Sequence, residues 1–461
     1  MLLSKTVLLV LCTNFLLIKG HFVKGSAARN SNVGEPLILT PLLDAGNVIE
    51  AQRRARVNPD IGNITSYSGY FTVNKDCESN IFFWFFPAQQ NQESAPVVLF
   101  LQGGPGASSI YSLFEENGPL TYKETLGRRQ YSWNVKNNLL FIDQPVGTGY
   151  SFTRKGCYAE NETVLGAELY SAMVQFYQLF PELGGNKFFI SGYSYAGHFI
   201  PALGYTIHKN NPGAQVKINL SGMMIGNGWM DAIYQNDLGS YLYQLGLVDT
   251  TGRDVYYDYQ RRFLEHMRNK EYEKALEIRT AEVSDVYLKY VGNVSILNYL
   301  QDNVIFPTPY EQFIQRPDIR RAIHVGNTNF SFESSIVAEK MGVDPVLSVK
   351  PWVEELLESY PIVFYTGQLD IICAYPTVEN FENNLNWSGE ARFMNSARQK
   401  WCVNGKQVGY LKGEHNLYDV MIRNAGHAVP FDQAEWAFIL INSITSGCAN
   451  DPFHALDKCV I

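Results

Sequence analysis

Charge is scarce in this chain. Asp, Glu, Lys and Arg make up 18% of its 461 residues, against a typical soluble share of about 25%. With 46% apolar and 13% aromatic residues, that scarcity excludes disorder for the bulk of the chain. A basic excess is also missing. The net charge of −8 argues against nucleic acid or an anionic membrane as partner. No two cysteines form a C-x-x-C pair, so zinc and thioredoxin-type chemistry have no footing. No glycine-rich loop runs on into Lys-Ser or Lys-Thr, as a phosphate cradle requires. No apolar run reaches the roughly 20 residues that span a bilayer. Internal repeats and low-complexity segments are absent as well. Neither a metal nor another cofactor is expected.

What is present begins with a leader. Lys5 precedes an apolar stretch over residues 6–18, and Gly20 and Gly25 offer cleavage points. Residues 1–22 therefore read as a signal peptide. Six sequons agree with a secretory route, whether it ends outside the cell or in a lysosome or vacuole. Of these, Asn63, Asn161, Asn293, Asn329 and Asn386 are expected to carry glycans. Asn219 lies in a strand-like run and is expected to be too covered to be used. Beyond Cys12, which leaves with the leader, stand Cys77, Cys157, Cys373, Cys402, Cys448 and Cys459. They read as disulfide cysteines of an oxidising compartment. Six allow 15 pairings, which sequence does not sort; Cys448 with Cys459 is the easiest local pair.

Short, largely apolar runs recur at residues 69–73, 80–86, 97–101, 139–142, 188–190, 218–225 and 362–365. Such runs suit a parallel sheet covered on both faces. Helical spacing falls between them at residues 165–180 and 196–209, and again at 432–444. Alternation of this kind predicts an α/β fold. Residues 231–350 break the pattern. Their charged, Tyr-rich stretch at 253–279 reads as a solvated helical insertion over the carboxyl edge of the sheet. The expected organisation is a core over residues 36–230 and 351–447, a helical cap at 231–350 and a tail at 448–461.

Ser194 is the sharpest chemical feature. It sits in Ser191-Gly192-Tyr193-Ser194-Tyr195-Ala196-Gly197, between a buried strand and a helix. That is the setting of a nucleophile elbow, with Ala196 where the G-x-S-x-G pattern has its second Gly. A serine nucleophile needs a base and an orienting acid, here in the chain order Ser, acid, His. His427, in Gly426-His427-Ala428-Val429-Pro430, lies in a loop before the last helix; His415 falls in a hairpin turn and His454 in the tail. Asp370 directly follows the run at 362–365, and Asp419 is its rival. An oxyanion hole needs the N–H of Tyr195 and a second from a glycine loop. Gln102-Gly103-Gly104-Pro105-Gly106 follows an earlier strand, and Gly104 is assigned.

These motifs, with Asp143-Gln144-Pro145-Val146-Gly147, Gly226-Asn227-Gly228-Trp229 and Gly367-Gln368-Leu369-Asp370, resemble the serine carboxypeptidases, and among them the vitellogenic carboxypeptidase-like branch. The resemblance runs from about Pro36 to the last helix. It implies an α/β-hydrolase fold with a mostly parallel central sheet and an inserted helical cap. It also implies release of C-terminal residues from peptides or proteins, usually best at acid pH. Ser194, Asp370 and His427 match the family's triad, and Gly104 with Tyr195 its oxyanion hole. Gln102, Gly103 and Glu116 match groups that hold the substrate's terminal carboxylate. A homodimer is compatible with the sequence, which does not fix the oligomeric state.

Three positions depart from the family pattern or stand out within it. Tyr193 replaces the glutamate that usually precedes the nucleophile. Its hydroxyl does not titrate in the working range, so carboxylate binding is expected to be less acid-dependent than in relatives. Because of it, a secreted binding or storage protein with weakened or lost activity stands beside the active peptidase; the resemblance adds an acyltransferase, since some relatives transfer acyl groups from the same acyl-enzyme. Ala107 takes the place of a disulfide cysteine of many members. Cys373 matches a cysteine found near the site in some relatives and is expected to be a buried free thiol.

Overall fold

The computed structural model describes residues 33–302, 308–447 and Leu456. The leader, Cys12, Cys448, Cys459 and nearly all of the tail lie outside the described residues. Among the described residues, eleven strands form the central sheet. In chain order they are β1 (Tyr67–Asn74), β2 (Ser79–Phe86), β3 (Val97–Leu101), β4 (Asn138–Ile142), β5 (Phe152–Thr153), β6 (Phe188–Ser194), β7 (Leu220–Gly228), β8 (Ile362–Gly367), β9 (Gln399–Val403), β10 (Lys406–Glu414) and β11 (Leu417–Ile422). Their spatial order is β1-β2-β4-β3-β6-β7-β8-β11-β10-β9, with β5 alongside β2. The strands from β4 across to β11 run parallel, and the sheet is antiparallel at both edges.

The apolar runs read from sequence are these strands. In β3, Leu99 and Leu101 enter the core on one face, while Val98 and Phe100 enter the core on the other. In β2, Phe83 and Phe85 alternate with Phe82, Trp84 and Phe86 in the same way. A strand buried on both faces cannot show polar alternation, so its sequence is apolar throughout. On the first face, helix α1 (Glu162–Leu179) contributes Leu169, Met173 and Phe176, and α2 (Ala196–Asn210) contributes Phe199 and Leu203. Asn161 caps α1 by accepting from Val164 N at 3.0 Å.

Between β7 and β8 the chain forms α3 (Leu238–Gln244), α4 (Thr250–Arg268) and α5 (Tyr272–Ala281), among shorter helices. It also forms a small ribbon, Val294–Ser295 paired with Asn298–Asp302. Leu238, Leu242, Tyr256 and Tyr287 make a separate core here, and Ile371 joins it from beside Asp370. The expectation of a solvated stretch holds for most of α4 but fails in α5, at the far end of the stretch. Arg279 is 2% exposed and paired with the buried Glu282. The final helix, α6 (Ala434–Ser446), covers the second face with Trp436, Leu440 and Ile444. It begins after Asp432, which stands in a separate short turn, Val429–Asp432.

Cys77 and Cys157 form a disulfide. Cys402 is also disulfide-bonded, and the Cys448–Cys459 pairing lies outside the described residues. Cys373 is free and buried, which agrees with what the resemblance implies and corrects the reading of all six cysteines as disulfide partners. All six sequon asparagines are exposed. For Asn219 this corrects the sequence reading. The strand starts one residue later, at Leu220, and Asn219 turns outward to donate to Gly185 O at 3.2 Å.

Candidate active site

Gly104, Ser194, Tyr195, Asp370 and His427 lie at the carboxyl ends of the parallel strands β3, β6, β8 and β11, where ligands bind in open α/β sheets, whereas Glu116 follows a short helix, Ile110–Glu115, and Asp419 lies within β11. The register keeps those ends level: Leu101 pairs with Gly192, and Gly367 with Ile422. Ser194 closes β6 with φ of +62°. A non-glycine residue in the left-handed region carries backbone strain and is worth attention as a functional position. The turn also needs room on its inner side. A Cβ on Gly192 would lie 2.3 Å from Leu101 O and 2.8 Å from the Ala196 Cβ. This also explains Ala196: a methyl is the most that the helix can bring to this contact.

His427 leaves β11 through a short loop. Its Nδ1 lies 2.8 Å from Asp370 Oδ2. Because an ionised carboxylate only accepts, Nδ1 carries the proton and Nε2 keeps a free lone pair. Asp370 is fully buried. Its Oδ2 also accepts from Asn227 Nδ2 at 2.7 Å and from Cys373 N at 3.3 Å, and its Oδ1 accepts from Ile372 N at 3.1 Å. Asn227 is held in turn by Gly367 N, which donates to its Oδ1 at 3.0 Å. The His427 loop is braced from two sides. His427 N donates to Leu297 O at 2.8 Å, and Gly426 N donates to Asp432 at 2.7 Å. Asp419 faces elsewhere, accepting from Tyr375 Oη at 2.8 Å.

Ser194, His427, Gly104 and Tyr195 line one cavity. Among the described residues no hydrogen bond joins Ser194 to His427, and such bonds commonly tighten only when substrate is present. The glycine loop is pressed against the elbow: a Cβ on Gly103 would lie 2.7 Å from Tyr195 N. Where Ala107 departs from the family pattern, backbone does the holding. Ala107 bridges to Glu333, and Ser108 N donates to Phe332 O at 2.9 Å. Tyr195 N stands at the amino end of the 15-residue helix α2, whose dipole favours negative charge there.

Asp370, Cys373 and His427 offer ligand atoms within 4.8 Å of one another. Asp370 and His427 spend theirs on each other. Burial, with the charge of Asp370 nearby, pushes the Cys373 thiol well above its ordinary pKa, so it stays protonated.

Tyr193 does not stand free. Its hydroxyl donates to Glu116 Oε1 at 2.6 Å and accepts from Gln102 Nε2 at 2.7 Å. All three side chains are buried. Burial pushes Glu116 up to about 7, while the hydrogen bond from Tyr193 and the charge of Arg129 pull it back. Glu116 thus has a partner, and the single Tyr193 proton is committed whenever Glu116 is ionised.

Sequence reasoning placed Asn227 in a motif without giving it a role, and missed Arg279 and the partnering of Tyr193. Asn227 had a usable signal, an asparagine between two glycines at the end of a buried run. Arg279 had none, because an arginine within a charged helical stretch reads as solvated.

A doubly covered, mostly parallel sheet with a strained serine elbow and a histidine–aspartate pair at its carboxyl edge defines an α/β hydrolase of the serine type. The sequence pattern of the family described as "Serine carboxypeptidase" matches residues 58–447, and the chain belongs to that family. A venom serine carboxypeptidase of Apis mellifera is 43% identical over 430 residues, 90% of this chain and 92% of that protein. A vitellogenic carboxypeptidase of Aedes aegypti is 41% identical over 92% of this chain and 93% of its own length. A human protein named as the probable serine carboxypeptidase CPVL is 39% identical over 91% of each chain. The crystal structure of a prohormone-processing carboxypeptidase of Saccharomyces cerevisiae, Kex1, superposes with a TM-score of 0.75 at 22% identity, covering 85% of this chain and 95% of that one. The chain is a serine-type carboxypeptidase, and a storage protein or an acyltransferase is not favoured.

Proposed function

We propose that Ser194 is the nucleophile, His427 the general base and acid, and Asp370 the group that orients His427 and balances its charge. The Asp370–His427 bond, facing the same cavity as the strained Ser194, carries this reading. Ser194 Oγ attacks the carbonyl carbon of the last peptide bond and its proton passes to His427 Nε2. The oxyanion is held by the N–H groups of Gly104 and Tyr195. The C–N bond then breaks, and the terminal residue leaves as an amine with the proton from His427. Water attacks the Ser194 ester, giving a proton to His427. The ester C–O bond breaks and Ser194 regains its proton.

Gln102, the N–H of Gly103, Glu116 and Tyr193 form the site for the substrate's terminal carboxylate in this reading. Residues 231–350 act as the cap over it. Residues 1–22 direct the chain into the secretory route, and Asn63, Asn161, Asn293, Asn329 and Asn386 are its glycan acceptors; Asn219, exposed too, joins them. Among the described residues no helix is long and apolar enough to cross a membrane. The test is product analysis. A peptide with a free C-terminus should be shortened residue by residue, and the same peptide as its C-terminal amide should be spared. Cleavage in the middle of the chain, or equal turnover of both peptides, would refute the assignment.

The tie between Tyr193 and Glu116 reverses the expected pH behaviour. Below about 7, Glu116 is protonated and releases the Tyr193 proton, which can then turn to the incoming carboxylate. Above it, ionised Glu116 holds that proton and repels the substrate. KM for a blocked dipeptide should therefore rise between pH 6 and pH 8. In Tyr193→Phe the acidic-side KM should already be high, by about tenfold for a lost charge-assisted hydrogen bond. A flat KM across this range in the parent protein would rule the coupling out.

A further inference from the structure

We propose that Arg279 makes the catalytic cavity a receptor for an acidic side chain at the penultimate position of the peptide. This rests on the carboxypeptidase reading and deepens it. Arg279 lines the cavity with Ser194, Gly104 and Tyr195, although it is 2% exposed. One of its nitrogens, Nη1, holds both protein partners, Asn236 Oδ1 at 3.0 Å and Glu282 Oε2 at 2.7 Å. The guanidinium lies over the Trp229 ring, with Cζ 4.8 Å from the centroid. Among the described residues, Nε and Nη2 have no partner.

Those two nitrogens form one side of the guanidinium fork. Elsewhere in this chain the same side grips a carboxylate: Arg53 Nε and Nη2 each donate to Glu50 at 2.7 Å. Bidentate pairing of this kind is the strongest use of an arginine. A buried guanidinium with a whole edge unpartnered is costly, and a carboxylate brought into the cavity removes that cost.

The rest of the cavity fits a side chain with an apolar stem. Leu276, Val346 and Ile372 line it. The scissile carbonyl points at Gly104 and Tyr195, and the terminal carboxylate is assigned to Gln102, Gly103 and Glu116. Those three do not line this cavity. The side chain that enters it is therefore that of the acyl residue, which stays on Ser194 when the terminal residue leaves. A lysine there would bring its charge against Arg279.

The test compares blocked dipeptides that share a terminal Leu and carry Glu, Gln or Leu before it, at pH 6, where the Glu substrate is ionised. For the parent protein, kcat/KM for Glu should exceed that for Gln by about tenfold or more. Gln matches Glu in shape, so the ratio isolates the charge. In Arg279→Met combined with Glu282→Leu, which removes the ion pair without orphaning a buried charge, the ratio should fall to about one. A parent enzyme that cleaves the Leu substrate but takes Glu no better than Gln overturns this inference alone. So does an Arg279 variant that loses all three substrates equally through KM, since Arg279 would then be reading the backbone carboxylate. Failure to cleave any of the three refutes the carboxypeptidase reading itself.

Discussion

Ser194→Ala should lower kcat by roughly 10⁶ and abolish labelling by a fluorophosphonate. At about 1.36 kcal/mol for each factor of ten, that is about 8 kcal/mol of barrier. The loss is large because the nucleophile and its base act as a unit: without Oγ, the base has no proton to take and no acyl-enzyme forms. A residual rate over water should remain, because the Gly104 and Tyr195 N–H groups still meet a developing oxyanion. Labelling that persists in the alanine variant would show that another residue is the nucleophile.

Stability should separate the role of Ser194 from its setting. The residue holds φ at +62°, and an L-residue pays about 1–2 kcal/mol in that region. Alanine keeps that cost, whereas glycine is free of it but gains freedom in the unfolded chain. Ser194→Gly should therefore be as inactive as Ser194→Ala and more stable than it by about 1 kcal/mol, measured by denaturant unfolding. The elbow then holds the serine against a local conformational preference, as expected where function rather than folding selects the residue.

What could be read from sequence follows from burial. β3, β4 and β8 are covered on both faces, so each is written as an unbroken apolar run with little room for ambiguity. The triad was legible for the same reason. Ser194 and Asp370 come shortly after such runs, and His427 lies in the loop between the last strand and the last helix, so order along the chain became position along one edge. The inserted segment was harder. Its helices divide their apolar residues between their own cluster of Leu238, Tyr256 and Tyr287 and the main core, which takes Phe263, Leu276 and Ile278, and helical spacing alone does not say which charged residue turns inward. Arg279 turns inward because Glu282, three residues on, supplies its countercharge. That pairing looks identical to an ordinary surface ion pair in sequence. Tyr193 failed differently. Its neighbours along the chain identify the position, but its partners Glu116 and Gln102 come from distant segments and are joined only by the sheet order.

Asp370→Asn should lower kcat by roughly 10⁴, while Asp419→Asn should leave the rate within a few-fold. The two differ in what they touch. Asp370 accepts four hydrogen bonds, three of them at Oδ2, from His427, Asn227 and Cys373 N, and one at Oδ1 from Ile372 N. An amide has only one accepting oxygen. Turned with its NH₂ toward Ile372 N, it sets donor against donor there but still meets His427 with oxygen. Turned the other way, it faces three donors and forces His427 to carry its proton on Nε2, where the base is needed. With one oxygen in place of two, the side chain no longer holds His427 in a single tautomer, and the molecules with the proton on Nε2 lack a base, which accounts for the size of the loss. The rate falls further because a neutral amide does not balance the imidazolium that forms during attack. Unfolding free energy should fall too, by about 1–3 kcal/mol for one buried donor left unpaired. Asn227→Ala gives an independent check. It removes one donor to Asp370 and the acceptor for Gly367 N, but keeps the carboxylate charge. Its rate should fall by far less than that of Asp370→Asn. An Asp419→Asn protein that loses as much activity as Asp370→Asn would move the acid to the neighbouring strand and refute the assignment made here.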